Sequence, residues 1–161
     1  MQTEPQKEHL WLKKLLGEWE TEASMSMGPG EPSQKTTGSE TVRAVGDLWV
    51  LCEGRGEMPG GGMATMLMTL GYDPQKKRFT GTWVGSMMTW LWVYDGWLDA
   101  SQKVLTLESD GPDFNVEGKL AKYRDVIEFK SEDHRTLTSH VLGDDGKWSA
   151  PFMTAHYRRR K

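Results

Sequence analysis

The pair Glu53 and Arg55 is the charged pair best placed to do acid–base chemistry or to anchor a ligand. These residues follow Trp49 and Leu51 at every second position, so a β-strand would put all four on one face. If that face points into a core, the two charges must be paired or hydrogen-bonded, which predicts a functional pair. If the opposite face, which carries Cys52, points inward, Glu53 and Arg55 are simply solvated.

His156 is the histidine best positioned for a role in a cavity. It lies close to the end of the chain, on a predicted strand, where its side chain could point inward or could belong to a solvated face. His9, His134 and His140 are the other histidines, and none forms an H-x-H or H-E-x-x-H spacing. No metal site is therefore predicted.

The middle of the chain holds the densest run of large apolar side chains. The sequence contains 8 Trp and 10 Met, and Trp90, Trp92 and Tyr94 recur with a period of two. Such side chains either line a cavity for an apolar or aromatic ligand, or fill the interior, or cover a surface between two copies. The candidate ligand-binding residues are Trp83, Trp90, Trp92, Tyr94, Met66, Met68, Glu53, Arg55 and His156.

Several other classes of function are excluded by composition and motif. A net charge of −3 gives no reason to expect nucleic acid or an anionic membrane as partner. Cys52 is the single cysteine, which excludes an intrachain disulfide and a cysteine-based zinc site. The sequence has no phosphate loop, dinucleotide fingerprint or nucleophile elbow, so no cofactor is predicted and any catalytic residue is unknown.

The start of the chain predicts a cytoplasmic protein. Residues Met1–His9 are polar and lack the apolar region of a secretory signal. No apolar run approaches the roughly 20 residues that a membrane helix needs. We therefore expect no membrane partner.

A single short helix is predicted at about residues 5–16. Trp11, Leu12 and Leu15 recur at helical spacings and form a one-sided apolar stripe, and Gly17 can end the helix. An amphipathic helix of this length needs another element to pack against.

After the helix, the apolar period changes to two and predicts nine or ten short strands. Asp95-Gly96 and Asp110-Gly111-Pro112 are among the turn sequences between them. Connections this short force antiparallel neighbours, because parallel strands need long crossovers. The predicted strands are Glu18–Met27, Thr36–Val45, Leu48–Met58, Ala64–Tyr72, Arg78–Ser86, Thr89–Asp95, Val104–Ser109, Lys119–Lys130, Thr136–Leu142 and Trp148–Arg159.

These elements predict an all-β fold, a single antiparallel up-and-down β-barrel capped by the helix. A sheet of this many twisted strands tends to close, and closure removes its exposed edges. The strands run from about residue 18 to residue 159, and residues 1–161 are expected to form one domain.

Gly17-Glu18-Trp19 resembles the opening of lipocalin-like barrels, where an arginine of the last strand stacks on the tryptophan. A guanidinium lies well on an indole face while it donates to nearby carbonyls. Arg158 and Arg159 are the candidates here, and alternation puts Arg159 on the same face as Tyr157. The resemblance implies a structural role for Trp19 and Arg159.

The centre of the chain resembles a bacterial family known only as a domain of unknown function. The resemblance rests on Leu70-Gly71-Tyr72-Asp73-Pro74 and on Phe79-Thr80-Gly81-Thr82-Trp83, and it extends over nearly the whole chain. In that family the strand often reads W-x-D-S, whereas this sequence has Gly85 in place of the acid. The resemblance implies a calycin-type barrel and no established activity.

Three functions follow as hypotheses. The first is binding of a small apolar or aromatic molecule in a cavity lined by Trp and Met. The second is an enzyme whose acid–base groups, Glu53, Arg55 or His156, meet around one pocket. The third is self-association, for example as a homodimer, through the aromatic strand face.

Overall fold

The fold, taken from a computed structural model that describes residues 3–26 and 32–161, is a closed β-barrel with one short helix. Helix α1 covers Lys7–Leu12 and continues as a 3₁₀ turn at Lys13–Leu15. Every neighbouring pair of the ten strands is antiparallel, and β1 pairs with β10 to close the barrel. The strands are β1 Gly17–Met25, β2 Gln34–Val45, β3 Trp49–Glu57, β4 Met63–Asp73, β5 Arg78–Gly85, β6 Trp92–Leu98, β7 Val104–Pro112, β8 Leu120–Ser131, β9 His134–Val141 and β10 Met153–Arg159.

The predicted antiparallel up-and-down barrel with an N-terminal helix is confirmed, although several boundaries are wrong. The helix is shorter than residues 5–16, because its last turn tightens into the 3₁₀ turn. Strand β6 begins at Trp92 rather than Thr89, since its pairing with β5 ends at that residue. Strand β10 begins at Met153 rather than Trp148. Met27, predicted at the end of the first strand, lies outside the described residues.

The two ends of the barrel differ, because antiparallel strands alternate in direction. At the helix end, α1 packs beside the tight connections at residues 46–48, 74–77, 99–103 and 132–133. At the opposite end, which we call the loop end, the connections are mostly longer and include residues 86–91, 113–119 and 142–152. A cavity open to solvent would therefore be entered from the loop end.

The apolar core lies at the helix end. Trp11, Leu12 and Leu15 are buried against inward-facing side chains of the barrel such as Leu70 and Phe79. The indole of Trp11 contacts Phe79 edge-on, with the ring centroids 6.1 Å apart. The helix face predicted from its apolar spacing thus packs against the end of the barrel and stabilises it by burial of large side chains. Among the described residues, no helix is long and apolar enough to span a bilayer.

Candidate functional site

Glu53 and Arg55 lie on the outer face of the barrel and not inside it. The inward residues of β3 are Val50, Cys52 and Gly54, all buried, whereas Glu53 and Arg55 are exposed. The interpretation in which this pair enters the barrel is therefore corrected. On the outer face both charges stay solvated, which avoids the cost of desolvating them.

His156 also faces outward, because its neighbour Tyr157 takes the inward position on β10. Its Nδ1 lies 3.0 Å from Nε2 of His134, and the two rings are stacked. Glu22 of β1 is its partner in the strand register. The structure does not bring His156 together with Glu53 and Arg55, so the predicted acid–base site of these residues does not form.

Trp90 lies in the connection before β6 and is 36% exposed. Its indole N–H donates to the backbone oxygen of Asp110 at 3.0 Å. Trp92 and Tyr94 follow it with a period of two, and both are buried and face inward. The predicted shared face therefore holds for Trp92 and Tyr94, while Trp90 lies outside the strand at the loop end.

The remaining apolar candidates form an inner wall at the loop end. Trp83 is the register partner of both Met68 and Trp92, so three neighbouring strands, β4 to β6, present these large side chains at one level. The ring of Trp92 also contacts Tyr123 edge-on, at a centroid distance of 5.1 Å. Met66 lies one inward position nearer the loop end. We call Met66, Met68, Trp83, Trp92 and Tyr123 the aromatic wall.

Glycines on the inner face make room for this wall. A Cβ added to Gly111 would lie 2.1 Å from the Trp92 ring, so the indole packs directly on the backbone. A Cβ on Gly54 would lie 3.5 Å from Cε of Met66, an ordinary contact distance. The flexible end of Met66 therefore occupies the space above β3, from which it can move without displacing backbone.

Below the aromatic wall, Asp125 is held by two hydroxyl groups. The Tyr94 hydroxyl donates to Oδ2 of Asp125 at 2.6 Å, and the Ser139 hydroxyl donates to Oδ1 at 2.7 Å. Burial raises the pKa of Asp125, and the two hydrogen bonds oppose that rise. Burial and the neighbouring Asp125 raise the pKa of the Tyr94 hydroxyl well above its usual value. Both hydroxyls thus remain protonated donors.

An ion pair between Arg135 and Glu40 lies nearer the helix end. Arg135 on β9 donates through Nη2 to Oε1 of Glu40 on β2, and the Arg135 side chain is 3% exposed. Its guanidinium lies 4.0 Å from the ring centre of Tyr157 and 4.6 Å from that of Trp19. The buried Nε of Arg135 has no hydrogen-bond partner among the described residues. We call Glu40, Asp125, Arg135 and Tyr157 the polar floor.

Part of the inner surface beside the polar floor is accessible to water. Asp125 and Tyr157 point inward but remain only half-buried, and the Glu40 side chain is 14% exposed. Leu105 and Leu107, which also point inward, have no accessible surface. Since a tightly packed interior leaves few voids, this difference indicates unfilled space beside the polar floor.

Trp19 and Arg159 lie together at the helix end. The guanidinium of Arg159 lies 4.2 Å from the Trp19 ring centre and donates to the backbone oxygens of Leu16, Lys14 and Glu132. The Trp19 indole donates to the backbone oxygen of Leu15 at 2.9 Å. This is the geometry that the resemblance implies for Arg159.

Among the described residues, two clefts open to solvent away from the inner site. One, of about 310 Å³, lies between the start of α1 and β6, and includes Tyr72 and Trp97. The other, of about 360 Å³, is lined by charged side chains of β1 and β10, among them His156. Neither is lined by the aromatic wall. We regard the inner site as the better candidate, because polar groups from four strands converge there beneath apolar walls.

The inner site is suited to binding and lacks an activated nucleophile. Burial and the nearby Glu40 raise the pKa of the Cys52 thiol, so the sulfur stays protonated and unreactive. Within residues 3–26 and 32–161, no three His, Cys, Asp or Glu side chains are grouped so that they could hold a metal ion. What the site offers is hydrogen-bond donors and acceptors beneath an aromatic surface.

The polar floor was missed from the sequence. On β8, Asp125 interrupts an inward series of Tyr123, Ile127 and Phe129, and a polar residue in such a series is a detectable signal. Glu40 and Arg135 lie 95 residues apart, so no local pattern connects them.

The fold and the inner site together define a closed, ten-stranded antiparallel barrel with a small polar cluster in a largely apolar interior. The chain belongs to the family described as a protein of unknown function, DUF1579, whose pattern matches residues 4–159. The family membership expected from the sequence is thus confirmed. No curated protein matches the chain.

Solved structures with a similar fold include an S-type phycobiliprotein lyase, CPES from Guillardia theta. It is 13% identical with a TM-score of 0.62, and the match covers 98% of this chain and 94% of that one. A structure of EF1p2_mFAP2b bound to DFHBI is 14% identical with a TM-score of 0.50, and the match covers 94% of this chain and 98% of that one. At these identities the likeness extends to the fold alone.

Proposed function

We propose that the protein binds a small, largely apolar or aromatic molecule inside the barrel, between the aromatic wall and the polar floor. The observation that carries this proposal is the accessible, inward-facing polar surface of Asp125, Tyr157 and Glu40 beneath Trp83 and Trp92. Ligand sites commonly combine apolar walls with a small number of converging polar groups. A structure of similar fold is bound to DFHBI, which is consistent with a small-molecule ligand for this barrel.

The polar floor favours a ligand with one hydrogen-bonding group. Arg135 is already neutralised by Glu40, so an additional anion would lie close to the Glu40 carboxylate. A neutral acceptor such as a carbonyl or hydroxyl adds no such repulsion. The body of the ligand would stack on Trp83 and Trp92, where aromatic contacts contribute about 0.5–1.5 kcal/mol beyond area burial.

The binding test uses the neutral fluorophore N-phenyl-1-naphthylamine, whose emission rises in apolar surroundings. We expect saturable binding of one probe per chain. In Met66→Trp, the larger ring occupies the space above Gly54 and should abolish binding. The control is Leu120→Trp, since Leu120 is 55% exposed on β8 and lies outside the proposed site.

Equal binding by Met66→Trp and by the wild type would contradict an interior site, as would the absence of saturable binding. Native mass spectrometry of protein purified from several hosts gives an independent measure, because a retained ligand adds a defined mass to the folded chain. Removal of that mass in Met66→Trp, with retention in Leu120→Trp, is the supporting result.

A further inference from the structure

One part of the barrel exterior carries a group of exposed aliphatic and thioether side chains, whereas most other outer faces carry charges. On the outer face of β4, β5 and the start of β6, five aliphatic or thioether side chains are exposed, from 37% for Leu67 to 65% for Met63. Leu67 pairs with Val84, and Val93 pairs with Thr82 in the neighbouring register, so these side chains are adjacent. We call this surface the apolar face; its members are Met63, Leu67, Val84, Leu91 and Val93.

Charged residues on these strands are confined to the helix end. The outward residues Asp73, Arg78 and Asp95 lie there, and threonines such as Thr69 and Thr82 separate them from the apolar face. The hydroxyls of Thr69 and Thr82 lie 2.7 Å apart and bond to each other across the strands. The hydrogen-bonding groups next to the apolar face thus satisfy one another.

Other outer faces of the barrel are different. The outward residues of β1 and β10 include Glu20, Glu22 and Arg158, and those of β8 include Lys122 and Arg124. Exposed charges of this kind keep a β surface from associating. The apolar face itself carries no charge, and charges border it from β3, where Glu53 pairs with Leu67 and Glu57 pairs with Met63.

We propose that the apolar face is the contact surface of a homodimer related by a two-fold axis. A surface without charge is electrostatically complementary to its own copy, and a two-fold contact places the same patch on both sides. A closed barrel has no free strand edge, so association has to use a face. Flat sheet faces of β-branched residues pack on each other at a spacing of about 10 Å.

The available area is sufficient for such a dimer. The apolar face with its intervening threonines presents on the order of 500 Å² of accessible surface, comparable with the largest patches of monomers, which are often functional. Two copies that cover it bury roughly 1,000 Å² in total, the lower limit for a specific interface. The contact differs from the self-association predicted from the sequence, because Trp92 and Tyr94 face the interior.

The mass in solution tests this proposal, and it does not depend on ligand binding. Sedimentation equilibrium should give about twice the chain mass of 18.3 kDa for the wild type. Val93→Lys places a charge in the contact and should give the monomer mass. The matched control is Val45→Lys, because Val45 is a similarly exposed valine on β2, at 52% against 57% for Val93; it should remain dimeric.

A monomeric wild type at the highest concentration measured would overturn the proposal, as would a dimer that Val93→Lys leaves intact. Circular dichroism establishes that each variant is folded, and Leu67→Lys is the second variant if Val93→Lys is not. Thiol cross-linking gives a further measure, since Cys52, the single native cysteine, is buried. With a flexible bismaleimide cross-linker, which spans the roughly 10 Å between packed sheet faces, Thr82→Cys should form covalent dimers and Thr41→Cys on β2 should not. A dimeric sample in which Thr41→Cys cross-links and Thr82→Cys does not would overturn the assignment.

Discussion

Asp125 shows how an acid that points into the interior is accommodated in this barrel. Both of its oxygens accept a hydroxyl proton, from Tyr94 and from Ser139, yet burial still raises its pKa above the usual value. The cost of desolvating the carboxylate therefore exceeds the gain from the two hydrogen bonds. Such an acid reduces the stability of the fold once it is ionised.

The pH dependence of stability should show this effect. In the unfolded chain the pKa of Asp125 is about 3.9, and below that pH the carboxyl group is protonated in both the folded and the unfolded state. As pH rises above this value, the unfolded state ionises first, because the folded-state pKa is raised. The free energy of unfolding therefore falls over this range. Asp125→Asn should lose less stability than the wild type between about pH 4 and pH 7. Urea unfolding across this range measures the difference.

The control is Asp47→Asn, because the Asp47 side chain is 71% exposed. Its stability should follow the wild-type pH profile. An Asp125→Asn profile that coincides with the wild type would mean that this carboxyl group titrates alike in the folded and unfolded states.

The Arg135–Glu40 pair should behave as a buried ion pair. Arg135→Met or Glu40→Gln leaves one charge buried without its partner, which costs about 3–5 kcal/mol of unfolding free energy. The double variant should cost clearly less than the sum of the two, since neither charge remains. A double-mutant cycle by urea unfolding measures the coupling.

An exposed pair provides the comparison for this cycle. The Nζ of Lys130 lies 2.7 Å from Oε2 of Glu128, and the two side chains are 47% and 41% exposed. The coupling energy of this pair should be about 0.2–1 kcal/mol. A coupling energy between Arg135 and Glu40 as small as this would show that water screens the inner pair. The accessible space beside the polar floor would then extend to these two side chains.

At the scale of the strand, glycines inside β6 and β7 explain why two turns were predicted wrongly from the sequence. Period-two alternation predicted nine or ten strands, and the short connections between them predicted their antiparallel order. The turns expected at Asp95-Gly96 and Asp110-Gly111-Pro112 do not exist, because β6 and β7 continue through them. A glycine beside an aspartate is typical of a turn, but here it gives space to a neighbour: a Cβ on Gly96 would lie 2.2 Å from the backbone oxygen of Thr106.

Substitution of Gly111 by alanine should therefore lower the free energy of unfolding more than substitution of Gly54. Gly111→Ala forces the Trp92 ring away from β7, and we expect a loss of about 1–3 kcal/mol of unfolding free energy from overpacking. Gly54→Ala meets only the flexible Cε of Met66 at 3.5 Å and should change stability by less than about 1 kcal/mol. Urea unfolding with tryptophan emission measures both. Equal losses would show that strand propensity, and not the packing of Trp92, decides the effect.

At the scale of the whole molecule, the barrel interior has an apolar core beneath the helix, the aromatic wall near the loop end, and the polar floor between them. The common face of Trp92 and Tyr94 could be predicted, because simple alternation along β6 puts both side chains on one side of the strand. The polar floor could not, since β2, β8, β9 and β10 supply its members and only ring closure brings these strands into one interior. The direction of the Glu53 face was also left open, because both faces of β3 carry apolar residues.

Closure of the barrel depends on the seam between β1 and β10, where Arg159 contacts Trp19 and three backbone oxygens of the helix end. Arg159→Lys removes the planar guanidinium that makes these contacts together. The free energy of local opening at the seam should fall by about 1–3 kcal/mol. Amide exchange should therefore accelerate about 5- to 150-fold where this contact limits opening. The faster exchange should be confined to β1 and β10, with β4 and β5 unchanged, as measured by hydrogen–deuterium exchange. Arg158→Lys is the matched control, because Arg158 faces outward into the charged cleft. If both variants accelerate exchange equally, or if β4 and β5 exchange faster as well, the Arg159 contact does not hold the seam.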